Sequence, residues 1–437
     1  MNLRVLVFAL VLALPGGLSS AHAEILPVPP GWQLERAVLL NRHGVRAPIE
    51  ANAELDQHVA TAWPTWPVPP SFLTPRGAEL MRLMGAYYRV LYGGRGLVQA
   101  DDCPPAGTIA AWSDIDQRTR VSGVSLLAGM YPRCANLALR NQNDPSVPDP
   151  LFHPGPSPSC PMDAATNRAA ILARIGGDFS SVMREYAPQL SAMQAVLCPT
   201  GVATGARRCG LSATPPSLEV RPNGEVKMKG PFGLGGTAAE TFLMEAAEGW
   251  PKEQVAWGRL ADDAALMNLL SIHRLSIDLT QKTLPVARQK GSNMLAQIVA
   301  TLQDGHKFPG RPAVAEPVRF ALLVGHDENI SNIEGLLRLG WQIQGFQANE
   351  ATPGGALAFE LFREASTGQR YVRLAYYAQT LQQMRQATPL TFNDPPGLQA
   401  VDLPGCEAYA RDKACPLDRF LEIARAAIDP GCVSIKP

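Results

Sequence analysis

The chain has 437 residues, 39 lysines and arginines against 39 aspartates and glutamates, and 46% apolar side chains. That is enough apolar material for a sizeable core, and the zero formal charge argues against a polybasic nucleic-acid binder or an acidic tail protein. The 39 prolines cluster between apolar runs, which predicts stiff loops rather than disorder.

Met1 to Ala23 reads as a secretory signal: Arg4 supplies the basic segment, Val5–Leu14 the apolar run and Ala21-His22-Ala23 the cleavage site. That run is too short to cross ~30 Å of hydrocarbon, so no membrane partner is expected once the signal is removed. Short apolar segments at 37–41, 109–113 and 318–324, with 357–362 and 371–377, predict strands. Helical patterns fall at 76–92, 120–130, 164–185, 237–247, 261–281 and 286–303. Ser217 to Lys229 reads as a hairpin whose turn is Asn223-Gly224. Strands mixed with helices at this length predict an α/β fold, a mixed central sheet flanked by helices. Residues 24–159 and 285–437 are expected to form the α/β domain, and 160–284 a second, mainly helical domain inserted after the proline-rich run 145–161.

All eight cysteines (Cys103, Cys134, Cys160, Cys198, Cys209, Cys406, Cys415 and Cys432) lie after the signal. An even count in an exported chain predicts disulfides rather than a metal site, since there is no C-x-x-C and no histidine pair at ligand spacing. Close spacing favours Cys198–Cys209 and Cys406–Cys415; the other pairings stay open at this level.

Three polar segments follow predicted strands, at the sheet edge where open α/β sheets bind ligands. Arg42-His43-Gly44-Val45-Arg46-Ala47-Pro48 follows 37–41. Two guanidinium forks suit phosphate oxygens, and their charge keeps the imidazole neutral, hence nucleophilic. Gly325-His326-Asp327-Glu328-Asn329 follows 318–324, offering a donor, a proton source for a leaving alkoxide and, in Asn329, a helix cap. Asp114-Ile-Asp116-Gln-Arg118-Thr-Arg120 follows 109–113, with Asp116 and Arg120 spaced to pair on a helix face. There is no G-x-S-x-G, H-E-x-x-H or G-x-x-x-x-G-K-[ST], and Gly233-Leu-Gly-Gly follows a hairpin, not the strand a dinucleotide loop needs.

Together these pieces resemble the histidine acid phosphatases, most closely the bacterial periplasmic phytase and acid phosphatase branch, with its glucose-1-phosphatase relatives. The likeness extends to Trp63-Pro-Thr-Trp-Pro67, Leu73-Thr-Pro-Arg-Gly77, Ser146–Phe152, Thr380–Arg385 and the cysteine-rich C-terminus. It implies a phosphoglycerate-mutase-like α/β domain beside an α domain, and acid hydrolysis of phytate and other phosphomonoesters without metal or organic cofactor; the alternatives are a glucose-1-phosphatase or sugar-phosphate phosphatase and, more remotely, a phosphate-ester binding protein without turnover. His43 would be the nucleophile, forming a phosphohistidine, and Asp327 the proton donor. Arg42, Arg46, Arg120 and His326 would hold the phosphoryl oxygens. Ala47, Pro48, Ile49, Glu50, Asp116, Glu240, His273 and Glu328 would complete the substrate pocket. The implied disulfides are Cys103–Cys134, Cys160–Cys432, Cys198–Cys209 and Cys406–Cys415; the expected location is the periplasm, with secretion as the alternative, and a monomer or weak dimer is expected. Two departures bear on substrate. Ile49-Glu50 stands where the phytases carry Thr-Lys, and Glu328 replaces a small hydroxyl residue. Two carboxylates near a hexakisphosphate pocket favour a substrate with fewer phosphates, such as a sugar phosphate. His58, His153 and His306 fit no motif and read as surface or loop residues.

Overall fold

The computed structural model describes residues 26–434 apart from 50–52, 100–101, 135–136, 143, 202–208, 212–213, 222 and 311–315. The expected signal and Glu50 lie outside the described residues. The strands are β1 (Trp32–Arg42), β2 (Ile109–Ser113), β3 (Leu139–Arg140), β4 (Ser217–Val220), β5 (Val226–Lys229), β6 (Phe320–Gly325), β7 (Ala356–Glu364), β8 (Arg370–Ala378), β9 (Gly397–Val401) and β10 (Ala414–Pro416). Eight form one mixed sheet in the order β10-β8-β7-β1-β6-β2-β3, with β9 also along β8; β4 and β5 make the expected hairpin. The helices are α1 (Ala53–Asp56), α2 (Pro75–Gly94), α3 (Gln117–Met130), α4 (Ala164–Arg174), α5 (Ser180–Glu185), α6 (Ala187–Leu197), α7 (Pro231–Ala247), α8 (Asp263–Gln281), α9 (Leu284–Gln303), α10 (Asp327–Leu337), α11 (Leu381–Gln386) and α12 (Leu417–Ala427). None of them is long and apolar enough to cross a membrane.

The central strands are buried on both faces, which is why they read as continuous apolar runs. Ala37 and Leu39 of β1 with Phe320 and Leu322 of β6 pack against α2 and α3. Val38 and Leu40 with Ala321 and Leu323 face the opposite core, built from α9, α10, α12 and residues of the 160–284 stretch. Register brings the ends of the middle strands level: Arg42 of β1 pairs with Gly325 of β6, and Ser113 of β2 with Val324. The next residue on each strand, His43, Asp114 and His326, therefore emerges at one edge. Backbone bonds extend this alignment past the strands, His43 N donating to Gly325 O (2.9 Å) and Asp114 N to Val324 O (3.1 Å).

Four disulfides join Cys103–Cys134, Cys160–Cys432, Cys198–Cys209 and Cys406–Cys415, the pairs the resemblance implied. Several elements differ from expectation. The pattern read as one helix over 164–185 breaks at Gly176 (φ +81°) and Gly177 (φ +100°), a left-handed turn glycine adopts freely. Helix α7 begins at Pro231 rather than 237, because its three early glycines weaken a local helix signal that proline at the first turn and tertiary packing restore. Helix α6 falls inside the stretch expected to be mainly helical but outside its named segments, and α12 has no counterpart among the predicted helices.

Candidate active site

Arg42 is unexposed at the end of β1. Its Nη1 donates to Ala351 O (2.7 Å), while Nη2 lies 2.5 Å from Glu240 Oε1 and 3.2 Å from Asp327 Oδ2. Arg46 reaches the same Glu240 oxygen at 2.9 Å. Glu240 comes from α7, so the 160–284 stretch supplies the anion that spaces the two guanidinium groups. Burial alone would favour protonated Glu240, but Arg46, His273 and Arg42 outweigh it and hold the carboxyl well below its usual range. His273 of α8 stands 3.9 Å from Asp327 Oδ2.

His43 is buried, and its Nδ1 lies 2.8 Å from Gly44 O. A carbonyl only accepts, so Nδ1 carries the proton and Nε2 keeps its lone pair. Burial first, then Arg118, Arg42, Arg46 and His326, hold the imidazole well below its ordinary pKa, so it stays neutral in acid. The loop that carries it lies tight on α2: a Cβ on Gly77 would stand 2.1 Å from Val45 O, so only glycine permits this approach. Gly44 N donates to Ser122 Oγ of α3 (3.0 Å), and Thr74 caps α2 through Gly77 N (2.8 Å).

His326 caps α10, its backbone N–H donating to Asn329 Oδ1 (2.9 Å) as the capping reading of Asn329 expects. Its Nε2 donates to Asp114 Oδ2 at 2.7 Å, and Nδ1 accepts from Arg118 Nη2 at 3.3 Å. Its ring centroid is 5.6 Å from that of His43.

Arg120 is exposed and not brought to the site, which corrects the expectation that it holds a phosphoryl oxygen. Helix α3 starts at Gln117, so Arg118 and Ser122, one turn apart, face the His43 loop, whereas Arg120 shares the outer face with exposed Val124. Asp116 pairs with Arg118 (2.7 Å), not with Arg120. Reading the helix register from the cap Asp116 inward, rather than pairing charges at i, i+4, would have chosen Arg118.

His153 is an exposed loop residue, as expected, but it also reaches the site. Its Nε2 donates to Asp114 Oδ2 at 2.9 Å, and its ring centroid is 5.0 Å from that of His326. Burial opposes ionisation of Asp114, but hydrogen bonds from His153 and His326 prevail and depress its pKa. Sequence reasoning left Asp114 unassigned, although it is the first residue past β2 and so falls at the sheet edge. Glu328 also differs from expectation: Lys290 of α9 sits 3.3 Å from its carboxylate and draws its pKa down to about 2, so its charge is compensated. Ligand-type atoms of Asp114, Asp116, His153 and His326, and of Glu240, His273 and Asp327, cluster within 4.8 Å among the described residues. The contacts above already occupy them with arginines and with one another, and we assign no metal ligand.

A cavity of about 570 Å³ adjoins Arg46 and Glu240. Ala47, Pro48, Ile49 and Thr237 line it, with Trp63 and Trp66 in its wall. These tryptophans also pack, Trp63 on Trp257 (4.7 Å) and Trp66 on Trp250 (4.6 Å). The hairpin adds Arg221, Lys227 and Lys229 to the lining. These cations were read only as hairpin sequence; alternation along β5 sets Lys227 and Lys229 on one face.

Residues 33–199 and 256–377 match the family model of the histidine phosphatase superfamily (branch 2). Phytase AppA of Escherichia coli (strain K12) is 36% identical over 436 residues, covering 98% of this chain and 99% of that protein. Glucose-1-phosphatase of Salmonella typhimurium (strain LT2) is 27% identical over 416 residues, 94% of this chain and 96% of that one. The solved structure of Hafnia alvei phytase in complex with myo-inositol hexakis sulphate matches with a TM-score of 0.85 at 35% identity, covering 93% of this chain and 100% of that chain.

Proposed function

The chain belongs to the histidine phosphatase superfamily, branch 2, and from that membership we propose that it is a periplasmic acid phosphatase hydrolysing phytate and other phosphomonoesters through a phosphohistidine at His43. The observation that carries the proposal is the environment of one ring: the His43 imidazole, with Nδ1 engaged by Gly44 O and Nε2 left with its lone pair, lies under the charge of Arg118, Arg42 and Arg46 and close to His326. His43 Nε2 attacks phosphorus as the bond to the ester oxygen breaks. Asp327 gives the departing alkoxide its proton, and the arginines and His326 take the charge on the three remaining oxygens. Asp327, now a carboxylate, then accepts a proton from the water that attacks the phosphohistidine, which releases phosphate and restores His43.

Phytate is favoured over a sugar monophosphate by two features. Lys290 compensates Glu328, and Lys227 provides positive charge along the cavity for further phosphates, beside Arg221 and Lys229, which pair with Glu225 (3.4 Å) and Glu219 (3.3 Å). The relatives named phytase and glucose-1-phosphatase bracket this choice. We read residues 160–284 as an inserted, mainly helical unit that supplies Glu240, His273 and the hairpin cations, and we place the mature protein in the periplasm, where four disulfides persist. The test is phosphate release from phytate and glucose 1-phosphate side by side in mild acid, with His43→Ala as the blank. Release from phytate that exceeds glucose 1-phosphate supports the reading; the reverse order overturns the substrate choice, and no release from either overturns the activity.

A further inference from the structure

We propose that His153 is a positioning residue: by sharing one oxygen of Asp114 with His326, it governs when His326 can donate to a phosphoryl oxygen. The inference rests on the proposed phosphatase reading of the site. Asp114 is unexposed, and Oδ2 alone receives Nε2–H from both His326 (2.7 Å) and His153 (2.9 Å), while Oδ1 has no hydrogen-bond partner among the described residues. His153 is held in place: its N–H donates to Asp149 O (2.8 Å), and the neighbouring Phe152 O accepts from Asn329 Nδ2 of α10 (2.8 Å).

In the geometry described, Nδ1 of His326 accepts a hydrogen bond from Arg118. To donate to phosphate it must gain a second proton, and the resulting imidazolium leans on the charge of Asp114. When His153 is also charged, two cations divide one carboxylate with their rings 5.0 Å apart. A charged His153 thus postpones protonation of His326 to more acid pH; a neutral donor in its place leaves Asp114 wholly to His326. The surrounding charges agree. Facing the pair are Asp114 and Asp116 from the β2–α3 connection, Arg118 from the first turn of α3, Glu328 from α10 and His43 just past β1, with Lys290 and Lys227 beyond Glu328. Burial lowers the proton affinity of His326, whereas the His153 side chain remains exposed at the surface. Asp114 outweighs the partial desolvation of His153 and raises its proton affinity, whereas Arg118 and His153 add to the lowering at His326.

The experiment follows the His326 imidazole by NMR titration in the full mature protein, together with the alkaline limb of kcat for p-nitrophenyl phosphate. His153→Asn keeps a neutral donor; His153→Lys keeps a permanent charge. The expected result is that both the His326 midpoint and the alkaline limb rise by about half a pH unit or more in His153→Asn and do not rise in His153→Lys. An unchanged His326 midpoint in His153→Asn, with melting like the wild type, overturns the proposal; His153→Gln serves if His153→Asn does not fold. If the wild type releases no p-nitrophenol, the phosphatase reading fails while the NMR arm still decides the coupling.

Discussion

Arg118 Nη2 lies 3.3 Å from Nδ1 of His326, joining the first turn of α3 to the end of β6. This contact places a third guanidinium at the nucleophile, and it separates two arginines only two residues apart in the chain. Arg118→Ala is expected to lower kcat/KM for p-nitrophenyl phosphate by about 10²–10³, the cost of removing one preorganised donor. Arg120→Ala, on the exposed face, is expected to stay within about twofold. Steady-state kinetics on the two variants checks both; equal losses would return Arg120 to the site.

Asp327 as proton donor predicts dependence on the leaving group. In the first turnover, Asp327→Asn loses about 10²–10⁴ with a sugar phosphate, whose alkoxide needs a proton. With p-nitrophenyl phosphate the loss is small, because the phenolate departs unaided. Rapid-quench measurement of the two phosphorylation rates decides the matter.

The depressed pKa of His43 has a kinetic sign. The nucleophile must be deprotonated, and a lowered pKa keeps it so below the ordinary histidine value of about 6.5. The acid limb of kcat/KM should therefore fall well below that value. A limb centred near it would mean that burial and the three arginines do not hold the ring neutral.

The hairpin cations predict a substrate-selective effect. Lys227→Ala and Arg221→Ala are each expected to raise KM for phytate about fivefold, in keeping with ~1 kcal/mol for an exposed charge contact. KM for p-nitrophenyl phosphate, with a single phosphate, should change by less than about twofold. Added salt should reduce the phytate effect.

Glu245 of α7 is buried away from the site, its Oε2 accepting from Ala256 N (2.8 Å), and burial pushes its pKa up to about 8. The unfolded chain ionises near the ordinary carboxylate value and the folded chain only near 8. Stability therefore falls as pH rises between the two, then levels off. Glu245→Gln keeps the hydrogen bond to Ala256 and is expected to stabilise the protein at pH 7 to 8 by on the order of a few kcal/mol, with little effect in mild acid. Thermal melting at the two pH values tests this.

Local signals carried much of the design. Apolar runs marked β1, β2 and β6 because both faces of those strands are buried, and the polar residues just past β1 and β6 marked His43 and His326, while the segment past β2 was legible without the role of Asp114. Asn223-Gly224 marked its hairpin, with Gly224 at φ +83°. Failures came where neighbours override local pattern. The glycines hid the start of α7, and Arg118 was passed over for Arg120 because charge spacing does not report helix register.

The sequence by itself determined the chemistry on offer, since residue types and their position after apolar strands are local properties of the chain. It also carried the family, through motifs spread along nearly its whole length. Tertiary structure alone decided which charges meet: Glu240 between Arg42 and Arg46, Lys290 against Glu328, and His153 beside His326 on a single oxygen of Asp114. These partners are 38 to 212 positions apart or bridge separate elements, and Coulomb energy depends on distance in space and on burial, neither of which sequence separation records.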